Sequence, residues 1–402
     1  MPLSRKDTLA ALELVKAAVS STNDAIQERA HIWFGGDHVF GTNGGLGIKA
    51  KFESPFKCGV PGALLMGLLN QASSDTLEFK QDGNGLKFKA GRSSITLNTL
   101  PFSQMPWRFP EKPAKKAIAS FKVSEDFIKG LKRVSALKVS NPKRMEHHAV
   151  CIFKVDEEMD LYVTNSQSML IMPVSEEISG PAVKLALPRE LANQIIAQCK
   201  PGQTLNMYAD HFRLQASDKV ELFSNIFDTT EMLDLPTFAS SYSDEKKFPS
   251  TDIPKDLMAA LERATVLAGS DEPNVFIKME GKKLKLTGKF KYGEISEEFD
   301  LAKAPVAATV RVDARVLLSI KDVKKLSLHP KAMTFFGADD FIYTIASTND
   351  TKVVAREAPA EDTEEDAEEE RPARAKTPKD KRKAREEEPE GEREELNDDI
   401  PF

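Results

Sequence analysis

The stretch Phe121-Lys-Val-Ser-Glu-Asp-Phe-Ile-Lys-Gly-Leu-Lys-Arg-Val-Ser-Ala-Leu-Lys-Val-Ser140 governs how the rest of the chain is read. Phe127, Leu131, Val134 and Leu137 recur every three to four residues, which predicts an amphipathic helix over 124–140. Leu161-Tyr-Val-Thr164-Asn165 then reads as a strand running into a turn, and Leu187-Pro188-Arg-Glu-Leu-Ala-Asn-Gln-Ile-Ile196 as a second helix. Alternating strands at 204–208, 212–216 and 220–223 close the unit.

The same order appears on both sides. Upstream lie a helix over 8–20 (Leu9, Leu12, Val15, Val19), the strand and turn His38-Val-Phe-Gly-Thr42-Asn43, and a helix from Val60-Pro61 to Leu69. Strands at 76–80, 86–90 and 94–97 follow, the first two joined by Gln81-Asp-Gly-Asn-Gly85. Downstream lie a helix over 254–268 (Leu257, Leu261, Ala264, Leu267), the strand and turn Leu284-Lys-Leu-Thr287-Gly288, and a helix from Val312-Asp313 to Ile320. Strands at 326–328, 332–336 and 341–346 end it. Thr42, Thr164 and Thr287 are separated by 122 and 123 residues, and Pro61, Pro188 and Asp313 by 127 and 125. Both prolines suit a first helical turn and Asp313 an N-cap. A repeat of this kind outranks local propensity in setting the fold. It predicts three tandem α+β domains at 1–115, 116–243 and 244–354, with joints near 112–119 and 240–250.

Composition separates off the end. Of 402 residues, 56 are Lys or Arg and 62 Asp or Glu, for a net charge of −6. Residues 356–402 hold 10 basic and 19 acidic side chains, which leaves the body slightly basic, with 46 against 43. With Leu396, Ile400 and Phe402 as its only large apolar groups, the segment 355–402 reads as a disordered acidic tail. Cys58, Cys151 and Cys199 are too few and too scattered for a disulfide framework or a zinc site, which fits a reducing cytoplasm. Charges run through the first twenty residues, and no stretch reaches the roughly 18 apolar residues of a membrane span, so neither signal peptide nor membrane association is expected.

Three helix–strands–helix–strands units resemble the bacterial-type DNA polymerase sliding clamp, the processivity subunit of replication. Local echoes are Phe121-Lys-Val-Ser-Glu-Asp-Phe-Ile128, Leu161-Tyr-Val-Thr-Asn165 with Leu187-Pro-Arg-Glu-Leu191, Leu235-Pro236-Thr-Phe238 and Leu97-Asn-Thr-Leu-Pro101. The resemblance implies a homodimeric ring of two three-domain chains, antiparallel sheets outside and helices lining the hole. Such a ring holds double-stranded DNA without sequence specificity, through interchangeable Lys and Arg contacts to phosphates. Candidates are Arg5, Lys6, Lys16, Lys129, Lys132, Arg133, Lys138, Lys143, Arg144, Lys200, Arg263, Lys321, Lys324 and Lys325. The family's first-domain loop Arg has no counterpart in Thr22-Asn-Asp-Ala-Ile26, Arg29 being displaced.

The resemblance also implies a pocket between the second and third domains for short motifs of the replicative DNA polymerase and the clamp loader. Aligned positions are His147, Thr164, Asn165, Ser166, Gln167, Ser168 and Met169, then Thr344, Ile345 and Ala346. The family's acidic-Gly-His-Arg turn is here Asn165-Ser-Gln-Ser168. The tail ends Asp398-Asp399-Ile400-Pro401-Phe402, similar to the tip of bacterial single-stranded-DNA-binding proteins, which docks into basic-rimmed apolar pockets of replication or repair proteins. Together these imply a non-enzymatic clamp, without cofactor or metal, in a bacterial cytoplasm, with a phage or another mobile replicon as a source, whose tail recruits host machinery.

A single-stranded-DNA-binding or recombination-mediator protein on the same fold is the alternative, against which stand only two Trp and five Tyr as stacking platforms. Gly41-Thr-Asn-Gly-Gly-Leu-Gly47 lacks a phosphate-loop pattern and reads as a turn. His147 and His148, close to Cys151, are adjacent and, read on a strand, point to opposite faces, so both do not ligate one metal. Glu157-Glu158 and Glu297-Glu298 have no neighbouring nucleophile or base, and Trp33 and Trp107 suit packing.

Overall fold

The computed structural model describes residues 2–107, 116–138, 144–155, 158–165, 167–174, 178–179, 184–208, 210–303 and 306–347. The chain divides into two units, Met1–Lys352 and Val353–Phe402, and the described residues belong to the first. Lys143, Ser166 and the tail tip Asp398, Asp399, Ile400, Pro401 and Phe402 lie outside them.

The first stretch holds β1 (Pro2–Ser4), α1 (Arg5–Val15), β2 (His31–Phe34), β3 (His38–Thr42), β4 (Leu46–Lys51), β5 (Cys58–Pro61), α2 (Gly62–Gln71), β6 (Thr76–Asp82), β7 (Gly85–Ala90), β8 (Ser93–Asn98) and β9 (Leu100–Pro101). The second holds β10 (Ala119–Lys122), α3 (Glu125–Ser135), α4 (Met145–His148), β11 (Ala149–Val155), β12 (Glu158–Thr164), β13 (Ser168–Val174), β14 (Ile178–Ser179), β15 (Lys184–Pro188), α5 (Arg189–Gln198), β16 (Thr204–Met207), β17 (His211–Ser217), β18 (Val220–Asn225) and α6 (Leu235–Ser243). The third holds β19 (Thr251–Asp252), α7 (Leu257–Ala268), β20 (Asn274–Glu280), β21 (Lys283–Phe290), β22 (Gly293–Asp300), β23 (Ala308–Asp313), α8 (Ala314–Leu318), β24 (Val323–His329), β25 (Ala332–Gly337) and β26 (Ile342–Ala346).

Caps set where the helices begin. Ser124 is extended and its hydroxyl accepts the Phe127 N–H at 2.9 Å, while Glu125 and Asp126 near the start and Lys132 and Arg133 near the end of α3 complement the helix dipole. Ser4 caps α1 and Asp313 caps α8 in the same way. Phe127, Ile128, Leu131 and Val134 then bury one face of α3 against β12 and β13.

Consecutive stretches share sheets. A ten-stranded sheet runs β14-β10-β16-β17-β18-β4-β3-β2-β5-β9, and an eight-stranded one β15-β11-β12-β13-β26-β25-β24-β19. Their junctions are antiparallel ladders, from Val220↔Ala50 to Ser224↔Leu46 and from Ser168↔Ile345 to Ile171↔Ile342. Four-stranded sheets β1-β6-β7-β8 and β22-β21-β20-β23 remain, with β1 and β8 as the edges of one and β22 and β23 of the other. Alternation divides each strand between two faces. Leu161 and Val163 of β12 enter the main core, whereas Tyr162 joins Ala149, Cys151, Met169, Ile171 and Ala186 in a second cluster under Met232, Leu235 and Ala239.

Several expectations shift. The helix expected over 8–20 begins at Arg5 and tightens into a 3-10 turn at Lys16–Ala18, and that over 124–140 stops at Ser135. Pro61 and Pro188 end strands and stand at the cap, one residue before the first turn. Thr287-Gly288 is no turn: both pair within β21, and a Cβ on Gly288 would come within 2.4 Å of the Phe290 ring, so glycine here serves a close approach. Residues 240–243, expected in a joint, finish α6. The helix expected from Val312 to Ile320 shrinks to α8, and Lys324 and Lys325 lie on β24 rather than on a helix surface. His147 and His148 fall in the short helix α4 rather than on a strand.

Candidate functional site

One cavity of about 240 Å³ lies where β13 meets β26, beneath α6. Its lining includes His147, Thr164, Gln167, Ser168, Met169, Thr344 and Ala346, all named from the sequence. Asn165 shapes the turn instead of facing the cavity: its Oδ1 accepts the N–H groups of Gln167 and Ser168 at 3.1 and 2.8 Å, and its Nδ2 donates to the Lys138 carbonyl at 3.0 Å. Ile345 is 3% exposed and belongs to the main core, because alternation along β26 turns it away from Thr344 and Ala346.

Sequence reading missed the opposite wall. Glu146, Leu233, Leu235, Phe238, Tyr242 and Ala332 also line the cavity, with Arg144, which had been assigned to DNA. The missed signal was local, since Asp234 followed by Pro236 marks a helix start; the Asp234 side chain accepts from Thr237 N–H at 3.3 Å and so begins α6. Thr334 fastens the far end of α6 by donating to the Tyr242 carbonyl at 3.1 Å. Phe238 and Leu233 remain half exposed, at 50% and 42%, although they border an apolar recess.

Glu146 holds the rim. Its side chain is 2% exposed, accepts the Leu233 N–H at 2.8 Å and meets Arg144 Nε at 3.4 Å. Burial raises the carboxyl's pKa, but the Leu233 N–H, its own N–H and the Arg144 charge together hold it below the usual range. Burial pushes the His147 imidazole down and favours its neutral form. The recess therefore offers apolar surface, hydroxyls and one cationic rim, a chemistry suited to a short peptide with apolar anchors and an acidic group.

The basic candidates do not form one set. Lys6, Lys132, Lys138, Lys200, Lys321, Lys324 and Lys325 are exposed, as is Lys16, which meets Glu13 at 3.4 Å. Arg5 pairs with Asp75 at 3.5 Å, and Arg263 binds Glu297 in a bidentate fork at 2.8 and 2.6 Å. Lys129 pairs with Asp339 and Arg133 with Asp322. These partners are far away in sequence, which is why a reading of local charge did not find them.

No protein-family model matches the sequence, and no curated protein does either. Solved structures do. A DNA polymerase sliding clamp from Pseudomonas aeruginosa superimposes with a TM-score of 0.72 at 17% identity, over 87% of this chain and 99% of the other. A putative DNA polymerase III beta subunit from Eubacterium rectale gives 0.72 at 13%, with the same coverage. The Helicobacter pylori beta clamp, solved bound to a DNA ligase peptide, gives 0.67 at 12%, again over 87% and 99%. With helices packed on antiparallel sheets in this order, the chain has the fold of the bacterial DNA polymerase III beta sliding clamps.

Proposed function

We propose that the protein is a DNA sliding clamp: two copies close head to tail around duplex DNA, and the ring tethers a replicative DNA polymerase after a clamp loader delivers it. The observation that carries this reading is the pair of open sheet edges. Both internal junctions join consecutive stretches by antiparallel pairing, and β8 and β22 are left as the corresponding unpaired edges at the two ends. Pairing them across two copies would make each end sheet eight-stranded, and it would cover edges that otherwise invite aggregation.

Side chains suit that union. Outward residues of β22 include Glu294, Ser296, Glu298 and Asp300, whereas those of β8 are Ser94, Thr96 and Asn98, backed by Lys87 and Lys89 on β7. Val266 on α7 and Tyr292 beside β22 are 76% and 64% exposed, apolar area that a second copy would bury. In this reading domains 1–115, 116–243 and 244–354 each supply one sixth of the ring, and the protein performs no chemistry of its own. Lys6, Lys16, Lys132, Lys138 and Lys200, exposed and without a distant acidic partner among the described residues, are among the phosphate contacts. The cavity under α6 takes apolar-anchored segments of the polymerase or the loader, a use supported by the DNA ligase peptide on the Helicobacter pylori clamp. Asp398, Asp399, Ile400, Pro401 and Phe402 recruit replication or repair proteins in a bacterial cytoplasm.

Light scattering across a concentration series tests the ring. A mass near twice 44.5 kDa, with retention on circular but not linear DNA, is expected. A monomer at every concentration would overturn the reading.

A further inference from the structure

The two internal junctions are held by different chemistry. At the junction of the second and third stretches, Lys129 Nζ lies 3.0 Å from Asp339 Oδ2, and Arg133 Nη1 lies 3.1 Å from Asp322 Oδ2 and 3.3 Å from the Lys321 carbonyl. The guanidinium of Arg133 covers the Phe341 ring at 4.4 Å, and that ring is 1% exposed. Both cations stand on one face of α3, a turn apart.

The carboxylates come from constrained backbone. Among the described residues, Asp322, Asp339 and Asp340 are the non-glycine positions with positive φ, at 61°, 59° and 57°. Asp tolerates this left-handed region better than most side chains, yet it is not the relaxed choice. The Ala338 N–H donates to the Asp322 carbonyl at 3.0 Å, which ties the two acidic turns together.

The first junction has no such feature. Its ladder has five residue pairs against four, and its cross-links include Gln198 to the Leu14 carbonyl at 3.2 Å, Ser224 to the Gly45 carbonyl at 3.1 Å, Asn225 to the Gly44 carbonyl at 2.7 Å and Asn43 to Glu190 at 2.9 Å. Among the described residues, no cation–carboxylate pair crosses it.

We propose that Lys129–Asp339 and Arg133–Asp322 form an ionic latch that sets the angle between the second and third stretches, and that duplex DNA phosphates release it by competing for the same cations. Naming DNA as the competitor rests on the clamp reading; the latch itself does not. Side-chain exposures of 58% for Lys129, 43% for Asp339 and 64% for Asp322 leave one pair and the second carboxylate open to solvent, where ion pairs are weak and screened by salt, while Arg133 is 22% exposed and packed on the Phe341 ring. Such pairs yield readily to a dense row of phosphates. Lys132 and Lys138, exposed on the same segment, give that row a place to approach. Release also lets the acidic turns relax.

Hydrogen–deuterium exchange on the full chain tests this, with Asp322→Asn/Asp339→Asn as the variant because Asn keeps the tolerance for positive φ. Peptides over 321–326 and 335–342 should exchange about threefold faster in the variant, and in the wild type at about 0.5 M salt, while peptides over 43–48 and 222–227 stay unchanged. Equal exchange in variant and wild type, or loosening at both junctions, would overturn the latch. A short duplex at low salt should reproduce the acceleration in the wild type and add nothing in the variant. If the duplex leaves the wild type protected while salt loosens it, release by DNA is wrong. The salt arm contains no DNA, so its outcome is independent of whether the ring forms.

Discussion

At Glu146 a nearly buried carboxylate ties α4 to the segment entering α6, on the rim of the recess. Glu146→Ala strands the Leu233 N–H and should cost about 1–3 kcal/mol, read from the urea midpoint at neutral pH. Because its folded pKa lies below the ordinary 4.5, the stabilisation is complete above that value and fades as pH falls through the folded one. The gap between wild type and variant should therefore close in acid; a gap that persists there would assign the effect to packing. Gly337 makes a second test. A Cβ there would come within 1.8 Å of the Phe341 ring that carries Arg133. Gly337→Ala should thus cost about 1–3 kcal/mol and loosen the neighbouring acidic turns, measured by denaturation and by exchange. Neither role was legible in the sequence, since Glu146 meets Leu233 and Arg133 meets Phe341 only after the chain has folded over long distances.

Among the elements, the start of α3 was readable and its stop was not. Ser124 followed by two acids and an apolar period announces α3, and Ser124→Ala should lower stability by about 1 kcal/mol in a urea titration, with the fold kept. Nothing as local marks the end at Ser135; Leu137 keeps the period and is buried although it lies beyond the helix. The turn after β12 was legible because Thr164 and Asn165 carry their own hydrogen-bond logic, and with it came half of the recess. The α6 half was not read although Asp234 and Pro236 mark its start, because only the underlying sheet shows which face Leu235, Phe238 and Tyr242 present. The lysines after α8 failed for a related reason. Five helical residues end at Leu318, and β24 takes over within a few positions because Leu326 and Leu328 must pair and bury beside β25.

For the whole molecule the repeat itself was plain from spacing, whereas the sharing of sheets between stretches was invisible, since backbone pairing such as Ser168↔Ile345 leaves no mark in composition. The clamp reading predicts that Val266→Asp, at a side chain 76% exposed in one copy, shifts the scattering mass toward 44.5 kDa while the unfolding free energy of the dissociated single chain stays within about 0.5 kcal/mol of the wild type's. An unshifted mass would place the contact between copies elsewhere. Sheet sharing also imposes an order on biosynthesis. The β4 edge, Leu46–Lys51, emerges from the ribosome long before its partner Val220–Asn225, and β13 likewise precedes Ile342–Ala346. At usual elongation rates each edge waits roughly ten to thirty-five seconds without its neighbour. Lys49 and Lys51 sit on the first of these waiting strands, where charge discourages stray pairing between nascent chains. The carboxy-terminal strands thus complete a sheet begun much earlier, so truncation before residue 342 should leave β13 uncovered and the product prone to aggregate.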